Sequence, residues 1–268
     1  MPKLPPDLDL HIEARVVGKS RIDPDDFLFI QHQRLRGEII SGAGKRNFEV
    51  HDCTFDRCRF EDMKFKDWSS CLAAGTEQSF YRDCVFDRCR FVELGMGQAR
   101  FERCDFRDVH IKGLFSQGAD YVDCTFSGTM KGAVILGKVF GIDVDHTPRE
   151  LNEVRSNDHA VIKLNEIRGN DFTALKMIDC DFRRGVDLRL QKLPTGDQYF
   201  LLVDAERKLG ALRRKYLQQP ASKVRASVIF WVDFHEEMIR DGQLDHFLCA
   251  GYFDPAVERQ VWQELESL

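Results

Sequence analysis

The feature that most limits the fold of this chain is a large apolar side chain at every fifth position. Phe55, Phe60 and Phe65 form one such series, and a smaller or sulfur-containing side chain precedes each by two residues. The pairs of the first long run are Cys53/Phe55, Cys58/Phe60, Met63/Phe65, Cys84/Phe86, Cys89/Phe91, Ala99/Phe101, Cys104/Phe106, Val109/Ile111, Ala119/Tyr121 and Cys124/Phe126. A period of five matches neither a helix nor a simple strand.

A second period of twenty residues lies on top of the first. Cys84, Cys104 and Cys124 are twenty residues apart, and so are Phe86, Phe106 and Phe126. If each layer contains four five-residue segments, residues of the same type in successive layers would stack about 4.8 Å apart, which is the spacing of neighbouring strands. Because a free Cys behaves as a small hydrophobe, the pattern predicts a narrow interior filled by columns of Phe and Cys.

This alternation of small and large residues resembles the pentapeptide repeat family. The resemblance implies a right-handed quadrilateral β-helix with five residues per side and both residues of each pair pointing inward. We expect this solenoid over residues 48–190, with insertions near 68–79 and 145–159. The nonamers DCTFDRCRF (52–60) and DCVFDRCRF (83–91) would then occupy the same corner one turn apart, with eleven inserted residues between them.

The pattern weakens near Gly128, where AVILGKVFGIDV (133–144) predicts strand, and it returns before the solenoid ends near Leu190. The large residues of the second run are Ile162, Ile167, Phe172, Met177 and Phe182, and the small inner positions hold Asn165, Asn170, Leu175 and Cys180. Inner Asn side chains are able to form ladders of hydrogen bonds. The second run therefore extends the same interior.

The two ends of the chain lack the repeat. Residues 1–47 are expected to form an N-terminal cap, with a strand in LDLHIEARV and a short helix in DPDDFLFIQHQRLRG. Residues 198–268 predict an α-helical C-terminal region, with helices before Pro220, between Ser222 and Gly242, and from Pro255. The predicted fold class is mainly β with helices at the C-terminal end.

Composition restricts the classes of function. A net charge of −5 over 268 residues does not favour nucleic acid or a membrane surface as the partner. The sequence shows neither a signal peptide nor an apolar span, and nine Cys is an odd number, so we expect a cytoplasmic protein with reduced thiols. No cofactor or metal is expected, because the C-x4-C spacing belongs to the repeat and SGAGKR (41–46) lacks the residues of a phosphate loop.

Charged residues at the outward positions form columns of alternating sign. Asp87 is expected below Arg107, and Asp83, Arg103 and Asp123 form one column. The best-known pentapeptide repeat proteins are DNA mimics that bind type II topoisomerases. Between Phe48 and Ile135 the sequence has fifteen acidic and twelve basic residues, a net charge of −3. A DNA mimic needs a sustained acidic face, which these columns do not predict.

The C-terminal region carries a basic and an acidic cluster. The clusters are either a solvated face of paired charges or a docking surface for an acidic partner. The predicted partner-binding residues are Arg207, Arg213, Arg214, Lys215, Asp233, Glu236 and Glu237. No catalytic residue is assigned. The segment DFHEEMIRDGQLDH (233–246) is expected to be a solvated helix face, because His235 and His246 would share a face only if the helix ran through Gly242.

The sequence predicts a non-enzymatic protein-binding scaffold. By analogy with the family, its role would be bacterial protection or immunity through binding of a toxin or another protein target. One alternative is a DNA mimic that protects DNA gyrase or topoisomerase IV from inhibitors. Another is an enzyme with a site where the β-helix meets the C-terminal helices, around His235, Glu236 and His246. A homodimer is compatible with each of these interpretations.

Overall fold

The computed structural model describes residues 27–41, 47–66, 72–73, 77–140 and 161–268. Several predictions therefore lie outside the described residues: the strand in LDLHIEARV, most of the 41–46 segment, most of the 68–79 insertion and the whole 145–159 excursion. The described chain is mainly β up to Leu202, and helices dominate the remainder.

Most strands are short because each covers one side of a five-residue repeat. Their bounds are β1 Phe27–Gln31, β2 Arg34–Arg36, β3 Ile39–Ser41, β4 Asn47–His51, β5 Thr54–Asp56, β6 Arg59–Glu61, β7 Lys64–Lys66, β8 Ser79–Arg82, β9 Val85–Asp87, β10 Arg90–Val92, β11 Ala99–Glu102, β12 Asp105–Lys112, β13 Phe115–Ser116, β14 Asp120–Val122, β15 Thr125–Leu136, β16 Lys138–Phe140, β17 Val161–Leu164, β18 Ile167–Arg168, β19 Asp171–Arg183, β20 Tyr199–Leu202 and β21 His246–Cys249.

Most strands pair in parallel between successive layers of the chain, and the described exceptions are the antiparallel pairs β16–β17 and β20–β21. Among the described residues, a nine-stranded sheet contains the path β13-β15-β12-β9-β6-β3, and a six-stranded sheet has the order β18-β14-β11-β8-β5-β2. Phe86 pairs with Phe106 and Tyr81 pairs with Phe101, each twenty residues further along the chain. The predicted twenty-residue layer is confirmed by this register.

Left-handed backbone recurs where the chain turns from one strand to the next. Arg103, Asp108 and Asp123 have φ near +50°, and Gly113 and Gly118 adopt positive φ at the intervening steps of five. Positive φ is uncommon for residues other than Gly. Backbone hydrogen bonds between layers hold these turns, because Asp83 N donates to Glu102 O and Arg88 N to Arg107 O, each at 2.9 Å.

Two long columns of stacked rings and a shorter stack of Phe65 on Phe91 lie in the interior. In the first column, successive ring centroids lie 4.6–4.7 Å apart, and its members are Phe60, Phe86, Phe106, Phe126 and Phe172. The second column contains Phe55, Tyr81, Phe101 and Tyr121, with centroids 4.8–5.3 Å apart. These rings are almost completely buried, so parallel register converts the sequence repeat into a continuous apolar core.

The predicted helix in DPDDFLFIQHQRLRG is wrong for its described part. Residues 27–31 and 34–36 are strands, and Ile30 pairs with Val50 while Leu35 pairs with Phe55. Strands twenty residues apart therefore already pair in this segment, and Ile30, Leu35 and Ile40 are buried at five-residue intervals. Acidic residues and a Pro suggested a helix start, but pairing with the next layer determines the backbone.

The two nonamers do not occupy the same corner, which corrects that prediction. Phe55 pairs with Tyr81 and Phe60 pairs with Phe86, a step of twenty-six residues. The insertion is therefore six residues rather than eleven, and the second nonamer lies one strand further along its layer. Because every inner position accepts a similar residue, nonamer identity alone does not determine which strands pair.

The repeat changes register at Gly128, where the sequence pattern weakens. Ile111 pairs with Met130, nineteen residues on, after an irregularity between Phe106 and Val109. A Cβ atom at Gly128 would lie 2.2 Å from Val109 O, so this close backbone approach requires Gly. The strands predicted at 133–144 are confirmed as far as Phe140.

The C-terminal region follows a short 3-10 helix at Leu188–Leu190 and consists of the antiparallel pair β20–β21 and three helices. The predicted helices are confirmed: α1 spans Ala205–Leu217, α2 spans Lys223–Arg240 and α3 spans Pro255–Ser267. The Ser222 side chain caps α2 by accepting from Arg225 N, and Asp254 caps α3. No helix among the described residues is long and apolar enough to cross a bilayer.

Strand β21 joins the two hydrophobic cores of the described chain. Phe247 packs with the stacked rings of the parallel sheets, whereas Leu248 packs with the helices. Alternate residues of a strand point to opposite faces, so β21, together with its partner β20, anchors the helices on the last layer. The anchoring creates a junction between β19, α2 and α3, where the candidate site lies.

Candidate functional site

The described surface of the parallel sheets carries ion pairs both between layers and along single strands. Arg103 forms two hydrogen bonds with Asp83, at 2.7 and 3.0 Å, and Arg88 forms two with Asp62, both at 2.9 Å. Hydrogen bonds from these guanidinium groups lower the pKa of both carboxyls. The predicted alternation of charge is present, and it neutralises acids that a DNA mimic would display.

Most of the predicted partner-binding residues form ion pairs or hydrogen bonds with other residues of the C-terminal region. Arg213 contacts both Asp233 and Glu236, linking α1 to α2. Four further ion pairs or hydrogen bonds involve this set: Arg207 with Asp204 and with the carbonyl oxygen of Leu268, Lys215 with Glu264, and Glu237 with Arg240. Arg214 is exposed. These contacts hold the helices together, and the role of the set in partner binding stays a prediction.

Residues 233–246 are not the solvated helix face that the sequence predicts. Helix α2 ends at Arg240, yet His235 and His246 meet because β21 returns beside the helix. Their side chains are 4% and 1% exposed, and their Nδ1 atoms lie 2.7 Å apart. Glu236 points away from this pair, toward Arg213. Sequence spacing could not reveal the pair, because it depends on tertiary packing.

Hydrogen bonding determines the proton positions of the pair. The Gln243 carbonyl only accepts, so His246 Nε2 donates to it across 3.0 Å. In a neutral His246, Nδ1 is then the acceptor, and His235 Nδ1 donates to it. Burial lowers the pKa of His235 to about 2, and burial also lowers the pKa of His246. Both rings are therefore neutral, and His235 Nε2 carries a lone pair.

A cleft of about 440 Å³ opens beside His235 at the junction of the sheets and helices. Strand β19 contributes Asp179, Asp181 and Arg183, and α2 contributes Trp231 and Phe234. Asp181 pairs with Arg183, whose guanidinium lies 5.1 Å from the centre of the Phe234 ring. The volume lies within the range of small-molecule sites, and aromatic side chains form much of the wall.

Helix α3 and the loop before it form the other wall of the cleft. Both carboxylate oxygens of the buried Glu258 accept from Gly251 N at 3.0 Å, and Tyr252 N donates to Oε1 at 3.2 Å. These bonds hold the loop with Tyr252 and Phe253 against the cleft, and Trp262 lines the same wall. Glu258 thus positions the loop while its charge meets only backbone N–H groups.

A second concave surface lies on the outer side of α2. It is a groove of about 520 Å³ lined by Lys223, Val224, Ala226, Ser227, Phe230, Tyr252, Phe253, Asp254 and Val257, which we call the apolar groove. Phe230 is 67% exposed there, and Tyr252 and Val224 are 51% and 40% exposed. Large exposed apolar side chains grouped in this way are typical of an interaction surface.

The eight described Cys side chains are free thiols, and seven are buried in the interior. Burial raises the pKa of Cys53 to about 11 and that of Cys89 to about 12. Cys104 donates to Tyr81 O at 3.2 Å in the layer below. No group of three or more potential metal ligands occurs among the residues that the structure describes. The seven buried thiols therefore fill the core.

Comparisons with known proteins add one structural similarity. No protein-family model and no curated protein sequence matches the chain. A solved structure with some similarity is that of QnrB1, a plasmid-mediated fluoroquinolone resistance protein. It is 12% identical, with a TM-score of 0.19, and the match covers 62% of this chain and 79% of that chain. At this TM-score, no conclusion is transferred from QnrB1 to this chain.

Proposed function

We propose that this protein is a non-enzymatic protein-binding scaffold, and that its parallel sheets close into a right-handed four-sided β-helix of the pentapeptide repeat type. The recurring left-handed turns, the twenty-residue register and the inward pairs support this geometry. On this proposal residues 27–41, which pair with the next layer, belong to the β-helix, and residues 198–268 form a distinct helical region. The β-helix is a rigid support for that region.

The observation that carries the proposal is the exposure of Phe230 within the apolar groove. A ring left 67% exposed stays in water unless a partner covers it. Val224 and Tyr252 extend the same apolar surface. Aromatic side chains near the centre of an interface often supply most of its binding energy. We therefore assign the main partner contact to this groove, and the partner supplies an apolar side chain to it.

Charged residues next to the apolar groove would form the polar rim of such an interface. Lys223 and Asp254 line the groove beside its apolar residues, and exposed charges around a dry centre are typical of protein interfaces. A toxin or another target protein in a bacterial cytoplasm would be bound here, giving the chain a protection or immunity role. The paired columns on the sheets make a topoisomerase-binding DNA mimic the weaker alternative, because opposite charges cancel across layers.

The test compares two single variants of the full-length chain. Phe230→Ala removes the central ring, and Ile39→Ala removes an apolar side chain of similar exposure, 58%, on a sheet strand. Proteins captured from a bacterial lysate by the parent chain are identified by mass spectrometry, and their affinities are measured with purified components. We expect F230A to weaken binding at least tenfold and I39A to leave it unchanged.

The alternatives give different outcomes in the same experiment. If the captured protein is gyrase or topoisomerase IV and both variants bind it like the parent, the DNA-mimic function replaces the proposal. If sedimentation shows that F230A abolishes self-association and nothing else, the groove is a homodimer interface. Turnover of a substrate that requires His235 would favour an enzyme at the junction.

A further inference from the structure

One face of the parallel sheets carries basic residues but no acidic ones on its strands. Strands β7, β10, β12, β15 and β19 pair side by side, and the residues that flank their buried side chains point outward. We call this surface the basic face, and its outward positions hold Lys64, Lys66, Arg90, Val92, His110, Lys112, Thr129, Lys131, Lys176 and Ile178. Six of these ten residues are Lys or Arg, and none is Asp or Glu. The net charge of the whole chain conceals this local excess.

The cations of the basic face lack the ion pairs that neutralise charges elsewhere on the sheets. Five of them are exposed and form no ion pair with a described residue: Lys64, Arg90, Lys112, Lys131 and Lys176. The register places Lys64 beside Arg90, and Lys112 beside Lys131. Like charges directly opposite each other on adjacent strands are destabilising. The fold gains no stability from this arrangement, which therefore favours a role in binding an anionic partner.

The basic face is a narrow strip with acidic borders. Its five strands span about 19 Å at about 4.8 Å per step, and the two outward positions of each strand lie about 7 Å apart. Exposed carboxylates occupy left-handed turns on both sides, at Asp108 on one side and at Glu93 and Asp179 on the other. Asp62, on the same side as Asp108, is neutralised by Arg88. A wide polyanion would meet these carboxylates, whereas a single chain would contact the cations alone.

The composition of the strip separates the remaining kinds of anionic partner. A DNA duplex or a membrane surface is much wider than the strip and would bring its phosphates against the acidic borders. A single nucleic-acid strand fits the width, but proteins bind such strands by stacking bases on aromatic rings, and the ten positions include no Phe, Tyr or Trp. Lys outnumbers Arg five to one, although Arg is the residue that binds phosphate through paired hydrogen bonds. These observations favour carboxylates carried by one extended peptide chain.

We propose that the basic face binds an extended acidic segment of a protein partner, whose Asp or Glu side chains form ion pairs with the five exposed cations. An extended chain rises about 3.3 Å per residue, so a segment of about six residues covers the five strands. The attraction between the two is electrostatic, and salt weakens it. The basic face shares no residue with the apolar groove, so the two surfaces are tested separately.

The first experiment measures which polyanion binds to the full-length chain. The probes are capped octaglutamate, capped octaglutamine, a thymidine dodecamer, a DNA duplex of the same length, and vesicles that contain phosphatidylserine. Binding is measured by calorimetry at low salt and again at about 0.3 M salt. We expect octaglutamate to bind at least about tenfold more tightly than any other probe, and to lose about tenfold in affinity at the higher salt concentration.

Two double variants with the same change in net charge test the face itself. The first combines Arg90→Glu with Lys131→Glu, and each new Glu lies opposite a Lys of the neighbouring strand. This variant should unfold at the same urea concentration as the parent or at a higher one. The second combines Arg34→Glu with Arg259→Glu, two exposed cations outside the face. We expect the first variant to weaken octaglutamate binding at least about tenfold and the second to change it less than about twofold.

Each contrary result overturns the proposal. If octaglutamate does not bind at millimolar concentration, or binds the first variant like the parent, the basic face is not a site for acidic peptides. An equal loss in both variants would show attraction to net charge alone. Tighter binding of a DNA probe or of the vesicles would assign the face to nucleic acid or to a membrane. Phe230→Ala should leave octaglutamate binding unchanged, and a loss in this variant would place the peptide in the apolar groove.

Discussion

Mild acid should destabilise this protein through its buried His pair. An unfolded His has an ordinary pKa near 6.5, whereas burial lowers the pKa of folded His235 to about 2. Below pH 6.5 the unfolded chain therefore binds a proton that the folded chain excludes, so stability present above this pH is lost as the pH falls. At pH 5 the difference for His235 alone is about 2 kcal/mol.

His246 adds to the loss in the same direction, because burial lowers its pKa as well. The groups around the pair, Arg183 and Asp181, form their own ion pair. Carboxyls whose pKa is lowered by Arg partners, such as Asp62 and Asp83, lose their contribution only below about pH 4. The loss predicted between pH 7.5 and pH 5 therefore comes from the two buried imidazoles, and a His235 variant separates it from any effect of the other six His residues.

The assay is urea unfolding of the parent chain, His235→Gln and His110→Gln at pH 7.5 and pH 5. We expect the free energy of unfolding of the parent to fall by about 2 kcal/mol or more. In H235Q the fall should be smaller by about 2 kcal/mol, whereas H110Q should behave like the parent. An equal fall in H235Q and the parent would refute the argument that burial lowers the pKa of His235.

Two further predictions concern the interior of the sheets. Phe86→Ala removes a fully buried ring from the middle of a column and should lower the free energy of unfolding by about 3–5 kcal/mol in urea, whereas Phe115→Ala, at a ring 36% exposed, should cost far less; similar losses would argue against the column. Asn170→Ala leaves Cys124 N and Tyr121 O without their 3.0 and 2.9 Å partners. Each unpaired group should cost roughly 1–3 kcal/mol, and an effect no larger than that of the exposed Lys176→Ala would contradict the role assigned to Asn170.

Much of the β architecture was predictable because its sequence signal is local and repeated. The five-residue series identified the buried residues of β5 to β12, and the cap and stop residues Ser222 and Gly242 located α2. Inner Asn170 was also predicted, and the structure shows it bonding to the layers on both sides through Cys124, Tyr121 and Gln191. Each of these predictions depends on residues close together in sequence.

The register of the nonamers and the strand at Phe27–Gln31 could not be predicted in the same way. An apolar series fits several registers, and β1 forms only because it pairs with β4. A pattern of acids and Pro is compatible with a helix start until that pairing is known. Tertiary contacts override local propensity at both places.

The sequence by itself determined which residues fill the interior, because a large apolar residue at every fifth position has to be buried in whichever register the layers adopt. It also determined the three C-terminal helices. Only the tertiary structure decided the His pair and the junction cleft, because β21 returns beside α2 and brings His246 to His235. Their separation of eleven residues crosses a helix end and a turn, and no periodic pattern spans such a change of direction.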